Sequence, residues 1–129
     1  MTSLMNAHAL IVDDNPDNCH FLEFLLEVNG AIVTATTSAT EALLALEEKH
    51  FDILVSDIGM PEIDGYMLIR AIREQTYSLN HQIPAIAISA YTGEMYQNTA
   101  KAAGFQHYLE KPLDLDEVIA LIVQLVQKK

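Results

Sequence analysis

The chain has 129 residues, half of them hydrophobic, which suits one domain with a real core. A formal net charge of −11 argues against duplex DNA as a partner, because phosphate contacts need clustered Lys and Arg. The single cysteine, Cys19, rules out an internal disulfide, and no apolar run nears the roughly 20 residues of a membrane span.

The N-terminus, "MTSLMNAHALIVDDN", has no basic leader, so a cytoplasmic protein is expected. "HALIVDD" is a short apolar strand ending in acids. "NPDNCHFLEFLLEVNG" reads as a helix with Pro16 just inside its start and Gly30 as its stop. Phe21, Leu22, Leu25, Leu26 and Val28 recur there at helical spacing, and Cys19 reads as a small apolar residue on the same helix. "AIVTAT" is a second strand. "SATEALLALEEKH" opens on a Ser38-x-x-Glu41 capping box and continues as an amphipathic helix.

"DILVSD" is the third strand. Pro61, Asp64 and Gly65 build the turn that starts the third helix, "YMLIRAIREQ". "IPAIAISA" is a fourth strand, and "GEMYQNTAKAAG" is a helix closed by Gly104. "FQHYLEKP" holds a fifth strand. "DLDEVIALIVQLVQKK" is the last helix, with Asp114 as its cap and Lys128 and Lys129 near its end. Leu121 and Val123 widen its apolar stripe. Either neighbouring side chains cover them, or this helix and the fourth form a partner or homodimer surface.

Five strands, each followed by a helix, read as an α/β doubly wound fold. Nearly continuous apolar strands imply a parallel sheet with helices on both faces. One domain over residues 1–129, without an output domain, is expected.

In such sheets the site lies at the carboxyl ends of the strands. Those ends carry Asp13 and Asp14, then Asp57, then Ser89, then Lys111. Three carboxylates in one crevice raise each other's pKa unless a cation neutralises them, and Mg²⁺ prefers such oxygen ligands. A lysine and a hydroxyl beside them suit a phosphoryl group, and carboxylate is a known nucleophile toward one. The residues therefore describe a Mg²⁺-assisted phosphoryl-accepting or phosphoryl-binding crevice. Each residue also has a simpler reading. Asp13 and Asp14 would cap a helix, Lys111 would sit on the surface, and Ser89 would merely end a strand. The five histidines show no metal spacing and read as structural or surface residues.

"IVDDN", "SDIGMPEIDG", "ISA" and "YLEKP", in this order and each at a strand end, resemble a response-regulator receiver domain of a two-component system over the whole chain. The resemblance implies the flavodoxin-like strand order 2-1-3-4-5. It makes Asp57 the acceptor of a phosphoryl group from a histidine kinase or histidine phosphotransfer protein. Asp13, Asp14, Asp57 and the backbone carbonyl of Gly59 would hold Mg²⁺. Lys111 and Ser89 would contact the phosphoryl oxygens, and Tyr108 would be the aromatic switch that follows Ser89. Lys111-Pro112 would be a cis peptide at a structural turn. Gly59 and Tyr91 would flank the acceptor at positions that vary in the family. Output would come through a downstream protein or by relaying the phosphoryl group onward, with neither nucleic acid nor membrane expected as partner.

A receiver belonging to a hybrid histidine kinase would look nearly the same. A small Mg²⁺-dependent aspartyl phosphatase is a further alternative. It would need a second acid close to the nucleophile, where Ile58 and Gly59 stand, and a substrate cap. A receiver-like module that is never phosphorylated is a third; the full set of acids, hydroxyl and lysine counts against it.

Overall fold

A computed structural model describes residues 4–60 and 62–127. Pro61, Lys128 and Lys129 lie outside the described residues, and so do the turn and helix-end roles expected of them.

The elements alternate as expected: β1 (His8–Val12), α1 (Pro16–Val28), β2 (Ile32–Thr36), α2 (Ala39–Glu48), β3 (Ile53–Asp57), α3 (Gly65–Glu74), β4 (Ala85–Ser89), α4 (Glu94–Ala103), β5 (His107–Glu110) and α5 (Leu115–Gln127). All pairings are parallel, in the order β2-β1-β3-β4-β5. Successive strand residues point to opposite faces. Leu10, Val12 and Leu54 therefore pack under α2, α3 and α4, while Ala9, Ile11, Ile53 and Val55 pack under α1 and α5. Burial of each large side chain contributes roughly 1.5–3 kcal/mol before chain entropy is counted.

The helix starts follow the sequence. The Asn15 side chain accepts from Asp17 and Asn18 N–H, and Asp64 accepts from Met67 N–H. Ser38 accepts from Glu41 N–H, but the Glu41 carboxylate reaches past Ser38 to the N–H and hydroxyl of Thr37. Those bonds hold the Glu41 carboxyl below its ordinary pKa.

Two details go beyond what the sequence pattern gives. Of the apolar α1 positions, Leu22 and Leu26 are buried together with Cys19, whereas Phe21 and Val28 are about half exposed. Periodicity finds the direction of a stripe but not its width. Secondly, β2 is an edge strand and is covered less completely than its neighbours: Ile32 is exposed and Val33 half-buried. On α5, Leu121 and Val123 are half-buried against the core, so neighbouring side chains cover much of the broad face. No helix among the described residues is long and apolar enough to cross a membrane.

Asn80 fastens the end of the sheet remote from Asp57. It is 2% exposed; its Oδ1 accepts from Phe51 N–H, and its Nδ2 donates to the carbonyls of Leu46 and Lys49. Asn80→Ala strands these three backbone groups and should cost about 3 kcal/mol, since each unpaired buried group costs about 1–3 kcal/mol and some relaxation follows. Urea unfolding checks this as a lower midpoint at unchanged slope.

Candidate active site

The strand order reverses between β1 and β3, and two of the acids arrive there. Asp13 follows β1, and Asp57 is the last residue of β3. Val12 and Ser56 are register partners, which brings the two strand ends level. Oxygens of Asp13, Asp14 and Asp57 all lie within 4.8 Å of one another. Lys111 Nζ stands 3.8 Å from Asp13 Oδ2 and 3.9 Å from Asp57 Oδ1. The four charged residues expected at the site are thus gathered at one point.

Asp13 is buried, and its Oδ1 accepts from Asn15 N–H at 2.9 Å. Burial pushes its carboxyl above the ordinary value. The Asn15 N–H pulls it down, Asp57 pushes it up, Lys111 pulls it down and Asp14 pushes it up. One ammonium does not balance three carboxylates. This donor set, all oxygen with charge left over, fits a hard divalent cation. Gly59, whose carbonyl was expected to join it, is exposed two residues beyond Asp57.

Ser89 ends β4 and is 1% exposed; its Oγ accepts from Tyr91 N–H at 3.0 Å. That leaves the hydroxyl proton available for a new acceptor. Tyr108 is half-buried, and its hydroxyl donates to Tyr91 C=O at 2.6 Å. The two expected switch residues thus meet at the backbone of one intermediate residue. The Tyr91 ring stacks on Tyr96 at 5.2 Å and lies 3.9 Å from where a Cβ on Gly59 would sit. The Lys111-Pro112 peptide is cis. Gly65 N–H donates to Ile58 C=O at 3.0 Å and ties the loop after Asp57 to α3.

A groove of about 370 Å³ opens beside the acids, lined by Phe21 and Leu22 of α1 and by Pro112 and Leu115, with Asp13 and Lys111 at its end.

The sequence profile of the response regulator receiver domain family matches residues 9–123. The chain belongs to this family. Receiver domains are the phospho-accepting modules of two-component systems. The receiver is 44% identical over 124 residues to an uncharacterized 14.6 kDa protein from the sodA1 3′ region of Leptolyngbya boryana; the match covers 96% of this chain and 93% of that one. It is 33% identical to the transcriptional regulatory protein ZraR of Escherichia coli K12 across 91% of this chain, but spans only 26% of that longer protein. Among solved structures, it superposes with a TM-score of 0.85 and 28% identity on the receiver domain of sensor histidine kinase PA1611 from Pseudomonas aeruginosa PAO1. That match covers 95% of this chain and 98% of the other, which carries a magnesium ion coordinated in its active site cleft.

Sequence reasoning missed Glu110, whose carboxylate accepts from Gly93 N–H at 3.1 Å. The N-cap of α4 is Gly93, which has no side chain to accept, but nothing in the spacing says which residue supplies the acceptor instead. It also missed Arg73, which donates to the carbonyls of Gly104 and His81 and anchors the far ends of α3 and α4. Cys19 is buried as expected, and its Sγ donates to carbonyls of Asp13 and Thr36. Burial first, then the charge of Asp13, pushes its thiol up to about 11, which makes a nucleophilic role at neutral pH unfavourable.

Proposed function

We propose that Asp57 accepts a phosphoryl group from the phosphohistidine of a histidine kinase or histidine phosphotransfer protein, and that the modified site switches a protein-binding surface. The observation that carries this is the gathering of three carboxylates and Lys111 at the mouth of the β1–β3 crevice. In the transfer, an Asp57 carboxylate oxygen bonds to phosphorus as the phosphorus–nitrogen bond to imidazole breaks, and the leaving imidazole takes up a proton. Asp13, Asp14, Asp57 and the Gly59 carbonyl would hold Mg²⁺, which would supply positive charge against the phosphoryl oxygens. Lys111 exchanges its carboxylate partners for a phosphoryl oxygen, and the free Ser89 proton is donated to another. The magnesium-bearing receiver of PA1611 supports this choice of cation.

The groove lined by Phe21 and Leu22, which also includes Asp13 and Lys111, is the seat we assign to the donor. On α4 and α5, among the described residues, the large apolar side chains left exposed are Met95 and Leu115. That is little surface for a homodimer core, so we assign output to contact with a downstream protein. The role is signalling rather than metabolic turnover: no second acid stands at Ile58 or Gly59 to serve an aspartyl phosphatase. Both a self-standing regulator and a receiver of a hybrid kinase use this same chemistry.

Intact mass after incubation with acetyl phosphate tests the reading. Gain of one phosphoryl group in Mg²⁺, and none in a metal chelator, is the expected result. No adduct, together with no binding of beryllofluoride, would sink it.

A further inference from the structure

Four of the five helices are capped by a residue that leads into them: Asn15, Ser38, Asp64 and Asp114. The fourth helix is not. The N-cap of α4 is Gly93, at φ +115°, with no side chain to accept from the first turn. Its acceptor comes from another element. Glu110 Oε2, on β5, takes the Gly93 N–H at 3.1 Å and the Gln97 Nε2 donor at 3.5 Å. A carboxylate there also faces the positive end of the helix.

Glu110 sits where the acceptor site and α4 meet. It is the register partner of Ser89 across β4 and β5, and the next residue, Lys111, donates its N–H to Ser89 C=O at 2.8 Å. Tyr91 lies between, bonded through N–H to Ser89 Oγ and through C=O to the Tyr108 hydroxyl. Segment 89–93 therefore hangs at three points from β5 and the residue after it: the Tyr108 hydroxyl, the Glu110 carboxylate and Lys111 N–H. A turn of Ser89 Oγ toward Asp57 would pull on the Tyr91 N–H, and through the short stretch Thr92–Gly93 it would strain the Glu110 contact.

We propose that Glu110 is a positioning residue: it holds the start of α4 in the unphosphorylated arrangement and so sets how readily the phosphoryl-bound state forms. This rests on Asp57 being the acceptor. Release of the cap loosens the first turn, Glu94–Gln97, in which Met95 is 70% exposed and Tyr96 carries the stack with Tyr91. That turn is the surface phosphorylation changes.

The test compares the whole chain with Glu110→Ala and Glu110→Gln. Amide exchange is followed by NMR without metal, and beryllofluoride is titrated in saturating Mg²⁺. Loss of a cap shifts a local equilibrium roughly fivefold. In Glu110→Ala, exchange at Gly93 and through the first turn of α4 should quicken by about that factor, and beryllofluoride should bind tighter by a similar factor. Glu110→Gln, which keeps an oxygen to accept, should fall between, and it carries the test where the alanine chain fails to fold. Faster exchange with unchanged or weaker beryllofluoride binding overturns the proposal, because the cap is then local only. Unchanged exchange overturns it as well, because the cap then does not hold α4. A wild type that binds no beryllofluoride removes the acceptor reading and this proposal together; a wild type that binds, beside unshifted variants, removes this proposal alone.

Discussion

Asp57→Asn should take up no phosphoryl group from acetyl phosphate in Mg²⁺, and it should melt at a higher temperature than the wild type without metal. The first effect is chemical. A neutral amide is a poor nucleophile toward phosphorus, and the loss should exceed roughly 10³-fold, beyond detection by intact mass. The second effect is electrostatic. Asp13 is buried beside Asp57, and its pKa is raised in the fold. A carboxyl with a raised folded pKa contributes stability below its unfolded pKa and loses that contribution as pH rises through the folded value. At neutral pH the charged Asp13 therefore costs stability, first through its burial and then through the neighbouring charge of Asp57. Removing one charge relieves part of that cost, and the gain shrinks as pH falls into the carboxylate range. Melting with and without Mg²⁺ checks the same point from the other side: the metal should stabilise the wild type more than the variant. An asparagine chain that still gains a phosphoryl group would move the acceptor elsewhere. One that melts lower would mean that Lys111 already balances the site.

The strands were legible because they are short, apolar and bounded by Gly, Pro, Asn and Asp. The helix starts at Asn15, Ser38, Asp64 and Asp114 were legible because each is capped by its own side chain. The acids of the site stood out for a simple reason: a charge at the end of an apolar strand is costly unless it is used. Other features left no such mark. The joint between Ser89 and Tyr108 runs through the N–H and C=O of Tyr91, and a backbone group has no sequence signature. Glu110 reaches α4 from a different element, so no spacing rule points to it. The exposure of Phe21 depends on how α1 is turned against the sheet, which its periodicity leaves open. The ligand role proposed for Gly59 rests on a carbonyl, which every residue possesses, so only the family resemblance pointed to it.

Gly65→Ala should be the most damaging single methyl in the acceptor loop, costing roughly 3–4 kcal/mol of stability and at least about tenfold in phosphorylation rate. A β-carbon on Gly65 would lie 2.6 Å from Asp57 O and 2.8 Å from Ile58 Cα. Both are backbone atoms at the strand end that carries Asp57, so no rotamer change relieves the overlap. Either α3 retreats, breaking the Gly65 N–H bond to Ile58 C=O, or the strand end shifts and carries the Asp57 carboxylate away from Asp13 and Lys111. Gly59→Ala is the control for stability, because its new methyl meets nothing nearer than the Tyr91 ring at 3.9 Å. That variant should unfold in urea close to the wild-type midpoint. The initial rate of adduct formation, followed by mass, then separates the two responses of Gly65→Ala. A destabilised chain that phosphorylates at the wild-type rate means that α3 yields. A slowed chain means that Asp57 has moved. An alanine chain unchanged in both respects would show that the loop is looser than these contacts require.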